Sequence, residues 1–535
     1  MSKRFRLTKA SKILIVFLIV ALIGGGVFAG LKTGFIKTKT AASSDVKENV
    51  VAANKGTSSD SGTPSSKKTT KKTDGDATIN LSLDEWTGWK SIIDGNQGLT
   101  TQPGSIYDKL GIKVNINIIN DATQSSNALI KGDLNAAGYT INRTAFLSQK
   151  FTDAGKEVVM PFITNYSNGG DGIIAKSSIQ SVNDIVSAKI GVPEFSEAQT
   201  LVVWFVNNSD LSDEQKSEII DNLVLFSTAD DTAKAFFAGQ VDVAATWEPY
   251  LTQAQNMTDA HVLFSTASST NLVMDGILFD KEFAEAHPDV VEKFIQGALE
   301  ASSMYDTEFD AVREVMPMFN TASDEDIIAS TKTAKLTTWK DNSDLLNGTA
   351  KTIYSDMCNV WTSIGESVNA SLVDAIFDDT YIDAIADNFN TTEVSNTETV
   401  KVTEENKQTI EDTQALLSGS ASVTFEKNTA KFSDSASASE ELNKFINIAK
   451  VLDGAIIEIA GNTDPNPNSD PLDEYNKKLS LKRAEAVKNY FIMNGISVDR
   501  IVVVGNGSSN PVVDNDTEEH RAMNRRTDVS FKIIE

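Results

Sequence analysis

The sequence predicts two folded domains of different class, an α/β domain over residues 77–390 and a smaller α+β domain over residues 420–535. Short apolar runs alternate with stretches of helical period in the first range, which is typical of an α/β domain with a largely parallel sheet. The second range opens and closes on predicted strands with helices between them. Residues 31–76 and 391–419 are rich in Ser, Thr and charged residues, so they cannot bury a core and are predicted to be linkers.

The charge balance argues against one class of partner. The 535 residues include 48 Lys and Arg against 74 Asp and Glu, a formal net charge of −26, whereas nucleic-acid binding needs basic surfaces. Cys358 is the one cysteine, which argues against a disulfide framework or a thiolate metal site, and we expect it inside an apolar helix. The histidines His261, His287 and His520 lie in no catalytic or zinc-binding pattern. We therefore expect no enzyme activity, cofactor or metal.

The N-terminus has the pattern of an export segment. A basic tail at residues 1–12 precedes an apolar run at residues 13–30, which has about the minimum length for crossing a bilayer. Positive charge ahead of the run favours an outward-facing C-terminus. We expect a retained transmembrane anchor and hence a single-pass cell-membrane protein with extracytoplasmic domains. The alternative is a signal peptide that is cleaved after Val27-Phe28-Ala29, with secretion to the periplasm.

The predicted strands of the α/β domain are apolar runs bounded by turn residues. They are Ile79 to Leu83, Ile112 to Ile119, Ala136 to Tyr139, Glu157 to Ile163, Gly172 to Ala175, Lys189 to Val192, Leu223 to Phe226, Val243 to Thr246 and Gly276 to Phe279. One unit occurs twice, since residues 128–137 and 235–244 each run from an apolar helix end through a Gly to a strand of small residues. Gly suits the left-handed cap of a helix. The repetition predicts two similar lobes.

Four motifs in order along this domain carry a family resemblance. They are Trp86-Thr87-Gly88-Trp89, Ser167-Asn168-Gly169-Gly170-Asp171-Gly172-Ile173-Ile174-Ala175, Ile179-Gln180-Ser181-Val182-Asn183-Asp184-Ile185 and Trp247-Glu248-Pro249. With the repeated unit, they make the domain similar to periplasmic solute-binding proteins of ABC importers, in the group that takes nitrate, sulfonates, taurine and thiamine precursors. The resemblance implies a two-lobed periplasmic-binding-protein fold, type II-like, that closes on a small-molecule solute, with an ABC permease as a further partner.

The candidate ligand-binding residues lie in loops expected at strand ends, where open α/β sheets bind ligands. They are Trp86, Trp89, Ser167, Asp171, Ser196, Trp247, Glu248 and Asp275. The tryptophans offer a stacking wall, with core packing as the alternative, and a turn carboxylate is the alternative for Asp171. Ser196 suits the cap of a helix whose N–H groups bind an anion. An amine or a zwitterion is favoured instead by five carboxylates, those of Asp171, Glu194, Glu197, Glu248 and Asp275. The sign of the ligand's charge stays open.

The C-terminal domain and the linker before it are predicted from alternating strand and helix patterns. The expected elements are a helix at Glu404 to Leu417, a strand at Val423 to Phe425, a helix at Ser437 to Leu452, a strand at Ala455 to Ala460, a helix at Asn476 to Phe491, and strands at Ile501 to Val504 and Thr527 to Ile533. Together they predict one layer of helices on one sheet.

A constellation in this domain resembles the OmpA-like C-terminal domain, a non-covalent binder of peptidoglycan. It comprises Thr463-Asp464, Asn476, Leu479-Ser480, Arg483-Ala484, Gly495-Ile496, Arg500-Ile501, Gly505, Gly507, Pro511 and Asn524-Arg525-Arg526. The resemblance implies that Asp464 holds the ammonium and Arg483 the carboxylate of a diaminopimelate-type stem peptide, with Thr463, Asn476 and Arg525 in the same site. A guanidinium and a carboxylate suit such a zwitterion. The alternative is an ordinary surface ion pair, and residues 465–475 form a longer loop than is usual in the family.

These predictions combine into one functional hypothesis. The chain is expected to be an exported, membrane-tethered solute-binding protein that captures a small polar ligand in an interlobe cleft and anchors to peptidoglycan. The alternative is a wall-anchoring scaffold or sensor with no transported ligand.

Overall fold

The computed structural model of the chain describes residues 77–389, 400–423, 425–426, 429–465 and 474–534. The predicted basic tail, membrane anchor and first linker, at residues 1–12, 13–30 and 31–76, lie outside these ranges. The beginning of the second predicted linker lies outside them as well. Within the described ranges, no helix has both the length and the apolar character needed to cross a membrane.

The first lobe is built on a six-stranded sheet in the order β11-β4-β10-β3-β1-β2. Its strands are β1 (Thr78–Leu83), β2 (Lys113–Ile118), β3 (Ala136–Thr140), β4 (Val158–Ser167), β10 (Met274–Asp280) and β11 (Ala334–Leu336). β1 pairs in parallel with β2 and β3, whereas β10 runs antiparallel to β3 and β4. Apolar side chains such as Ile79, Leu81 and Ile277 are fully buried between this sheet and its helices.

The second lobe is built on a five-stranded sheet in the order β7-β6-β8-β5-β9. Its strands are β5 (Asp171–Lys176), β6 (Ile190–Pro193), β7 (Val224–Phe226), β8 (Val243–Trp247) and β9 (Ala260–Ser265). β6 is parallel to β7 and β8, while β5 is antiparallel to β8 and β9.

The chain crosses between the lobes twice, and the crossings explain one wrong prediction. It leaves lobe 1 along β4, passes residues 168–170 and enters lobe 2 as β5, then returns from β9 through residues 266–273 into β10. Because outgoing β4 and returning β10 are neighbours, they must run in opposite directions. The expected largely parallel sheet is therefore replaced by two mixed sheets. The predicted strands are present, and β9 and β11 are additional.

Helices cover both sheets. In lobe 1 they are α1 (Lys90–Asn96), α2 (Ile106–Leu110), α3 (Ala122–Lys131), α4 (Ile141–Asp153), α9 (Lys281–Ala286), α10 (Pro288–Glu300), α11 (Asp310–Val315), α12 (Asp324–Thr331), α13 (Trp339–Asp344), α14 (Ala350–Ser363), α15 (Val373–Ile376) and α16 (Thr380–Ala384). In lobe 2 they are α5 (Glu197–Asn208), α6 (Asp213–Asp221), α7 (Ala229–Phe237) and α8 (Tyr250–Gln255). Cys358 is buried in α14, as predicted.

The repeated unit of the sequence appears once in each lobe. Gly132 ends α3 before β3 with a φ of 81°, and Gly239 follows α7 before β8 with a φ of 71°. Both angles lie in the left-handed region that glycine adopts without strain. The prediction of a helix, a glycine cap and a strand in each lobe is confirmed.

The C-terminal domain has a four-stranded sheet in the order β12-β15-β13-β14 with helices packed against it. Its elements are α17 (Lys407–Asp412), β12 (Leu417–Ala421), α18 (Ser435–Val451), β13 (Ile456–Asn462), α19 (Glu474–Met493), β14 (Ile501–Gly507), α20 (Glu518–Asn524) and β15 (Thr527–Lys532). β13 is parallel to β14 and antiparallel to β15.

The edge strand β12 corrects two predictions. The strand lies at Leu417–Ala421 rather than at Val423 to Phe425, and the helix before it is limited to Lys407–Asp412. The segment resembles a linker because it is made of small residues, yet Leu417 and Ala421 are buried and the strand pairs with β15. A Cβ on Gly419 would lie 2.8 Å from the Phe445 ring, so the small residue is required there.

The loop after α18 contacts the second crossing between the lobes. The amide N–H of Gly454 donates to the carbonyl oxygen of Ser268 at 3.1 Å, and Ser269 Oγ donates to the carbonyl oxygen of Val451 at 2.5 Å. A Cβ on Gly454 would lie 2.5 Å from the Ser268 carbonyl oxygen, so only glycine permits this approach. The C-terminal domain is thus hydrogen-bonded to the segment that joins the lobes.

A buried arginine holds the same loop. The Arg500 guanidinium donates to the carbonyl oxygens of Ala455 at 3.0 Å, Ala449 at 2.9 Å and Leu452. Burial lowers the pKa of Arg500 to about 10, with Asp453 acting in the opposite direction. Ala449 lies in the last turn of α18, whereas Leu452 and Ala455 follow the helix, so the guanidinium ties the end of the helix to the loop after it.

Candidate functional site

The candidate solute site lies where strands of both lobes begin and end. In lobe 1, Asp275 at the start of β10 lies opposite Thr140 at the end of β3 and Asn165 near the end of β4. In lobe 2, Asp171 at the start of β5 pairs with Trp247 at the end of β8. The crossing residues 168–170 directly join these two sets, which places them on one cleft.

Hydrogen bonds bridge this cleft from helix to helix. Arg143 in the first turn of α4 lies 3.1 Å from Glu197 at the start of α5, as an Nη2–Oε2 ion pair. Thr140 Oγ1 donates to Glu197 Oε1 at 2.9 Å, and Arg143 Nη1 donates to the carbonyl oxygen of Phe195 at 2.6 Å. Because Thr140 and Arg143 belong to lobe 1 and Glu197 to lobe 2, the structure shows the lobes in contact.

Three aspartates at this cleft have raised pKa values. Burial raises the pKa of Asp171 to about 7, with a bond from Ser167 lowering it and Glu197 raising it. Burial, then repulsion from Asp84, Glu197 and Asp171, raises the pKa of Asp275 well above its usual range. Burial also raises the pKa of Asp84, which the N–H of Trp89 partly offsets. In the described part of the chain, none of these three aspartates forms an ion pair, so their charge is not neutralised by the protein.

The predicted tryptophans occupy different depths. Trp86 is half-buried, and its indole N–H donates to Asn165 Oδ1 at 3.0 Å. Trp89 is 1 % exposed and packs in the core of lobe 1, where its N–H donates to Asp84 Oδ1 at 2.6 Å. Trp247 is 41 % exposed at the end of β8. Trp86 and Trp247 therefore offer ring surface, while Trp89 positions Asp84.

The polar oxygens of the remaining predicted residues are engaged within the protein. Ser196 caps α5 by accepting from the N–H of Gln199 at 3.1 Å. The carboxylate of Glu248 accepts from the Thr252 N–H at 3.1 Å and from the Thr252 hydroxyl at 2.9 Å. Ser167 Oγ lies 2.8 Å from the hydroxyl of Thr266, which joins the two crossings. These side chains shape the cleft, and the anion site expected at Ser196 stays a prediction.

Sequence reasoning missed Asp84 and Arg143. Asp84 directly follows β1. Arg143 lies three residues after Thr140, and the Thr140 hydroxyl caps α4 by accepting from the backbone N–H of Arg143 at 2.8 Å. Both positions follow the carboxyl end of a strand in lobe 1, a signal that could have identified them. The pairing of Arg143 with the other lobe depends on how the lobes meet, which no local pattern encodes.

The second candidate site lies at the end of β13 in the C-terminal domain. Asp464 Oδ2 lies 3.1 Å from Arg525 Nη1, and Arg525 Nη2 lies 2.7 Å from Glu518 Oε1. Asn476 Nδ2 donates to the Asp464 carbonyl oxygen at 3.4 Å. Thr463 is buried, and its hydroxyl has no hydrogen-bond partner among the described residues. The structure therefore brings the predicted residues together and adds Glu518, with Arg525 as the direct partner of Asp464.

Arg483 lies beside this pair on α19. It is 8 % exposed, its Nε donates to the carbonyl oxygen of Thr429 at 3.2 Å, and its guanidinium lies 4.9 Å from the centre of the Phe425 ring. Burial lowers the pKa of Arg483, Asp464 raises it and Arg525 lowers it. A guanidinium has two further nitrogens with which it can bind an anionic group in a bidentate manner.

The family profile described as NMT1/THI5 like matches residues 105–305, and the profile of the OmpA family matches residues 424–525. Neither match covers half of the chain.

Curated relatives cover a short part of the chain. They are outer membrane porin F of Pseudomonas fluorescens (47 % identity over 76 residues, 14 % of this chain and 22 % of the porin), outer membrane protein A of Bordetella avium (36 % over 107 residues, 20 % and 51 %) and peptidoglycan-binding protein ArfA of Mycobacterium tuberculosis (39 % over 90 residues, 17 % and 26 %). The chain thus spans between about a fifth and a half of the length of these relatives.

Two solved structures match more of the chain at low identity. The periplasmic aliphatic sulphonate binding protein SsuA of Escherichia coli is 15 % identical, with 57 % of this chain and 98 % of that chain covered and a TM-score of 0.44. The periplasmic nitrate-binding protein NrtA of Synechocystis is 10 % identical, with 58 % and 89 % covered and a TM-score of 0.43. The sequence profiles support the resemblance described above: the chain carries an NMT1/THI5-like domain followed by a C-terminal OmpA domain.

Proposed function

We propose that this protein captures a small polar solute between its two lobes and attaches non-covalently to peptidoglycan through its OmpA domain. The observation that carries solute capture is the convergence of Asp275 and Asp171, from different lobes, on a cleft that Arg143 and Glu197 bridge. Two lobes joined by short crossings can open and close as rigid bodies around a ligand. The proposed activity is binding, without a chemical step.

Attachment to the wall is supported by the second site. A diaminopimelate-type stem peptide presents an ammonium and a carboxylate close together. Asp464 and Arg483 offer one group of each opposite charge, and the buried Thr463 hydroxyl has no hydrogen-bond partner among the residues that the structure describes. Arg525 holds the Asp464 side chain in place, which reduces the entropy that binding would cost.

Two further parts of the proposed function are a membrane anchor and a permease partner. Residues 13–30 are proposed to anchor the chain, with the solute handed to an ABC permease. Resistance of the full chain to extraction from membranes at alkaline pH checks the anchor, and release into the soluble fraction would contradict it.

Retention on insoluble peptidoglycan tests the wall site. The full chain is incubated with diaminopimelate-type sacculi and sedimented. Asp464→Ala and Arg483→Ala should each lower the bound fraction at least about tenfold, since each removes one charged partner of the zwitterion. The matched control is Arg313→Ala, an arginine on α11 in lobe 1 that pairs with Asp324 and lies outside both sites.

Unchanged retention in both folded variants would overturn the assignment of the wall site. The alternative of a scaffold or sensor without a transported ligand predicts full retention of the unchanged protein on sacculi together with no bound small molecule in native mass spectrometry.

A further inference from the structure

We propose that the solute is an organic cation, a small molecule that carries one or more ammonium groups. This inference rests on the proposed capture of a solute in the cleft and names the substrate class of that site. It is carried by the carboxylates that the two lobes bring to the cleft.

The charges at the cleft are strongly unequal. Lobe 1 supplies Asp84 and Asp275, and lobe 2 supplies Asp171 and Glu197. Arg143 is the one cation that acts on the pKa of these aspartates in the described part of the chain, and Glu197 already pairs with it. Asp171 and Asp275 therefore have no positive partner among the described residues, and Arg143, the cation that acts on Asp84, is already paired with Glu197.

The carboxylates of Asp275 and Asp171 are too deeply buried for water to solvate their negative charge. Asp275 is 4 % exposed and Asp171 is 8 % exposed, and an ionised carboxylate is costly to bury without a paired cation. The Asp275 carboxyl comes from lobe 1 and the Asp171 carboxyl from lobe 2, and both Asp171 and Glu197 of lobe 2 raise the pKa of Asp275. Two independent parts of the fold thus converge on the same requirement for positive charge.

The need for positive charge between Asp275 and Asp171 couples closure of the lobes to binding of a cation. When the lobes approach, like charges on Asp275 and Asp171 are brought together and removed from water, which opposes closure. An ammonium group between the two carboxylates would attract both of them, so the electrostatic free energy would then favour closure. A cationic solute would therefore favour the closed state because it binds that state more strongly than the open one.

The aromatic residues at the cleft suit the same ligand. The half-buried Trp86 lies against the first crossing, since a Cβ on Gly170 would lie 2.9 Å from its ring. Trp247 is adjacent to Asp171 across the β5–β8 pair. Indole faces attract ammonium groups and pack against the alkyl chain of an amine. An inorganic anion would gain nothing from these rings and would be repelled by the carboxylates.

A metal ion is a separate cationic occupant that the test must distinguish. Within the described ranges, no group of three His, Cys, Asp or Glu side chains is arranged to hold a metal ion. Calcium and zinc are therefore included among the probes.

The test is calorimetric titration of the full chain at pH 8 with putrescine and spermidine. Ethanesulfonate and nitrate serve as anionic probes, and calcium and zinc chloride as metal probes. An amine should bind, and Asp275→Asn and Asp171→Asn should each weaken its binding at least about tenfold because a buried charged partner is lost. The matched control Asp133→Asn, at an exposed position before β3, should bind the amine as the unchanged chain does.

Thermal unfolding and retention on sacculi show that each variant is folded. Amine binding that survives both substitutions would overturn the placement of the ammonium group. Binding of an anion or of a metal ion, with none of either amine, would overturn the organic-cation inference while leaving solute capture in place.

Failure of solute capture as a whole would give a different result from failure of the organic-cation inference alone. If none of these probes binds, native mass spectrometry of the full chain purified from cells separates the two ideas. A retained adduct without a basic nitrogen would support capture and refute the cation. The absence of any adduct, in a chain still retained on sacculi, would refute both.

Discussion

The interlobe cleft and the C-terminal domain bury charged side chains in opposite ways. In the cleft, Asp171 and Asp275 are buried, neither has a cationic partner among the described residues, and their pKa values are raised. In the C-terminal domain, Arg500 is buried against three carbonyl groups and Asp464 is paired with Arg525. Charge that the protein itself neutralises contributes to stability, whereas charge that it leaves unpaired lowers stability until a ligand arrives. Removing a charge should therefore have opposite effects in the two regions.

The largest effect is expected at Arg500. Arg500→Ala removes the guanidinium donor from the carbonyl oxygens of Ala449, Leu452 and Ala455, and of these Leu452 keeps the bond from the Ala455 N–H at 3.1 Å. The free energy of unfolding of the C-terminal domain should fall by about 3–5 kcal/mol, as for other broken buried charge networks. Urea unfolding followed by circular dichroism measures the change. Arg313→Ala on lobe 1 is the control, and an equal loss in both variants would contradict the special role of Arg500.

Substitution of Asp171 is expected to raise the free energy of unfolding, by less than substitution of Arg500 lowers it. The raised pKa means that the folded chain keeps the Asp171 proton between about pH 4 and about pH 7 while the unfolded chain releases it. Stability contributed by this group is therefore lost as pH rises through that window. Asp171→Asn should stabilise the ligand-free chain by on the order of 1–3 kcal/mol at pH 8, and by much less at pH 4.

Thermal unfolding of both proteins at pH 4, 6 and 8 measures this difference. The control Asp133→Asn should leave the melting temperature unchanged at every pH. A variant that is less stable than the unchanged chain at pH 8 would mean that Asp171 has a stabilising partner in the ligand-free state, which would remove the contrast between the regions.

The smallest effect on stability is expected at Asp464. The side chains of Asp464 and Arg525 are 28 % and 32 % exposed, and Glu518 also holds Arg525. Asp464→Asn should therefore cost less than about 1 kcal/mol of unfolding free energy, while retention on sacculi falls strongly. Urea unfolding and sedimentation of the same preparation separate the two readouts. A large loss of stability with normal retention would make Asp464 a structural residue.

The fold was largely predictable because most elements are encoded locally. Apolar runs such as Ile79 to Leu83 fall within one residue of the observed strand, and both glycine caps were identified from the repeat. The edge strand at Leu417–Ala421 was missed because its small residues resemble a linker, and its pairing is provided by the distant β15. The mixed direction of the sheets follows from the two crossings, which depend on tertiary structure.

The candidate sites were less predictable for the same physical reason. Loop positions indicated Asp171 and Asp275, and the family resemblance indicated Asp464 and Arg483, but neither showed which groups these side chains would meet. The contact of Arg143 with Glu197 joins two lobes, and Glu518 reaches the wall site through Arg525. Such pairings are set by how domains and helices meet, so only the assembled structure shows them.

Two hydrogen bonds join the C-terminal domain to the second crossing between the lobes. The Gly454 N–H donates to the Ser268 carbonyl oxygen, and the Ser269 hydroxyl donates to the Val451 carbonyl oxygen. A rotation of one lobe against the other must therefore either carry the C-terminal domain with it or break these bonds. Tension applied to the C-terminal domain reaches this crossing through these bonds, and it reaches lobe 2 through the Val182 N–H, which donates to the Leu416 carbonyl oxygen at 3.2 Å. Opening of the cleft and mechanical load on the C-terminal domain thus act on the same two hydrogen bonds.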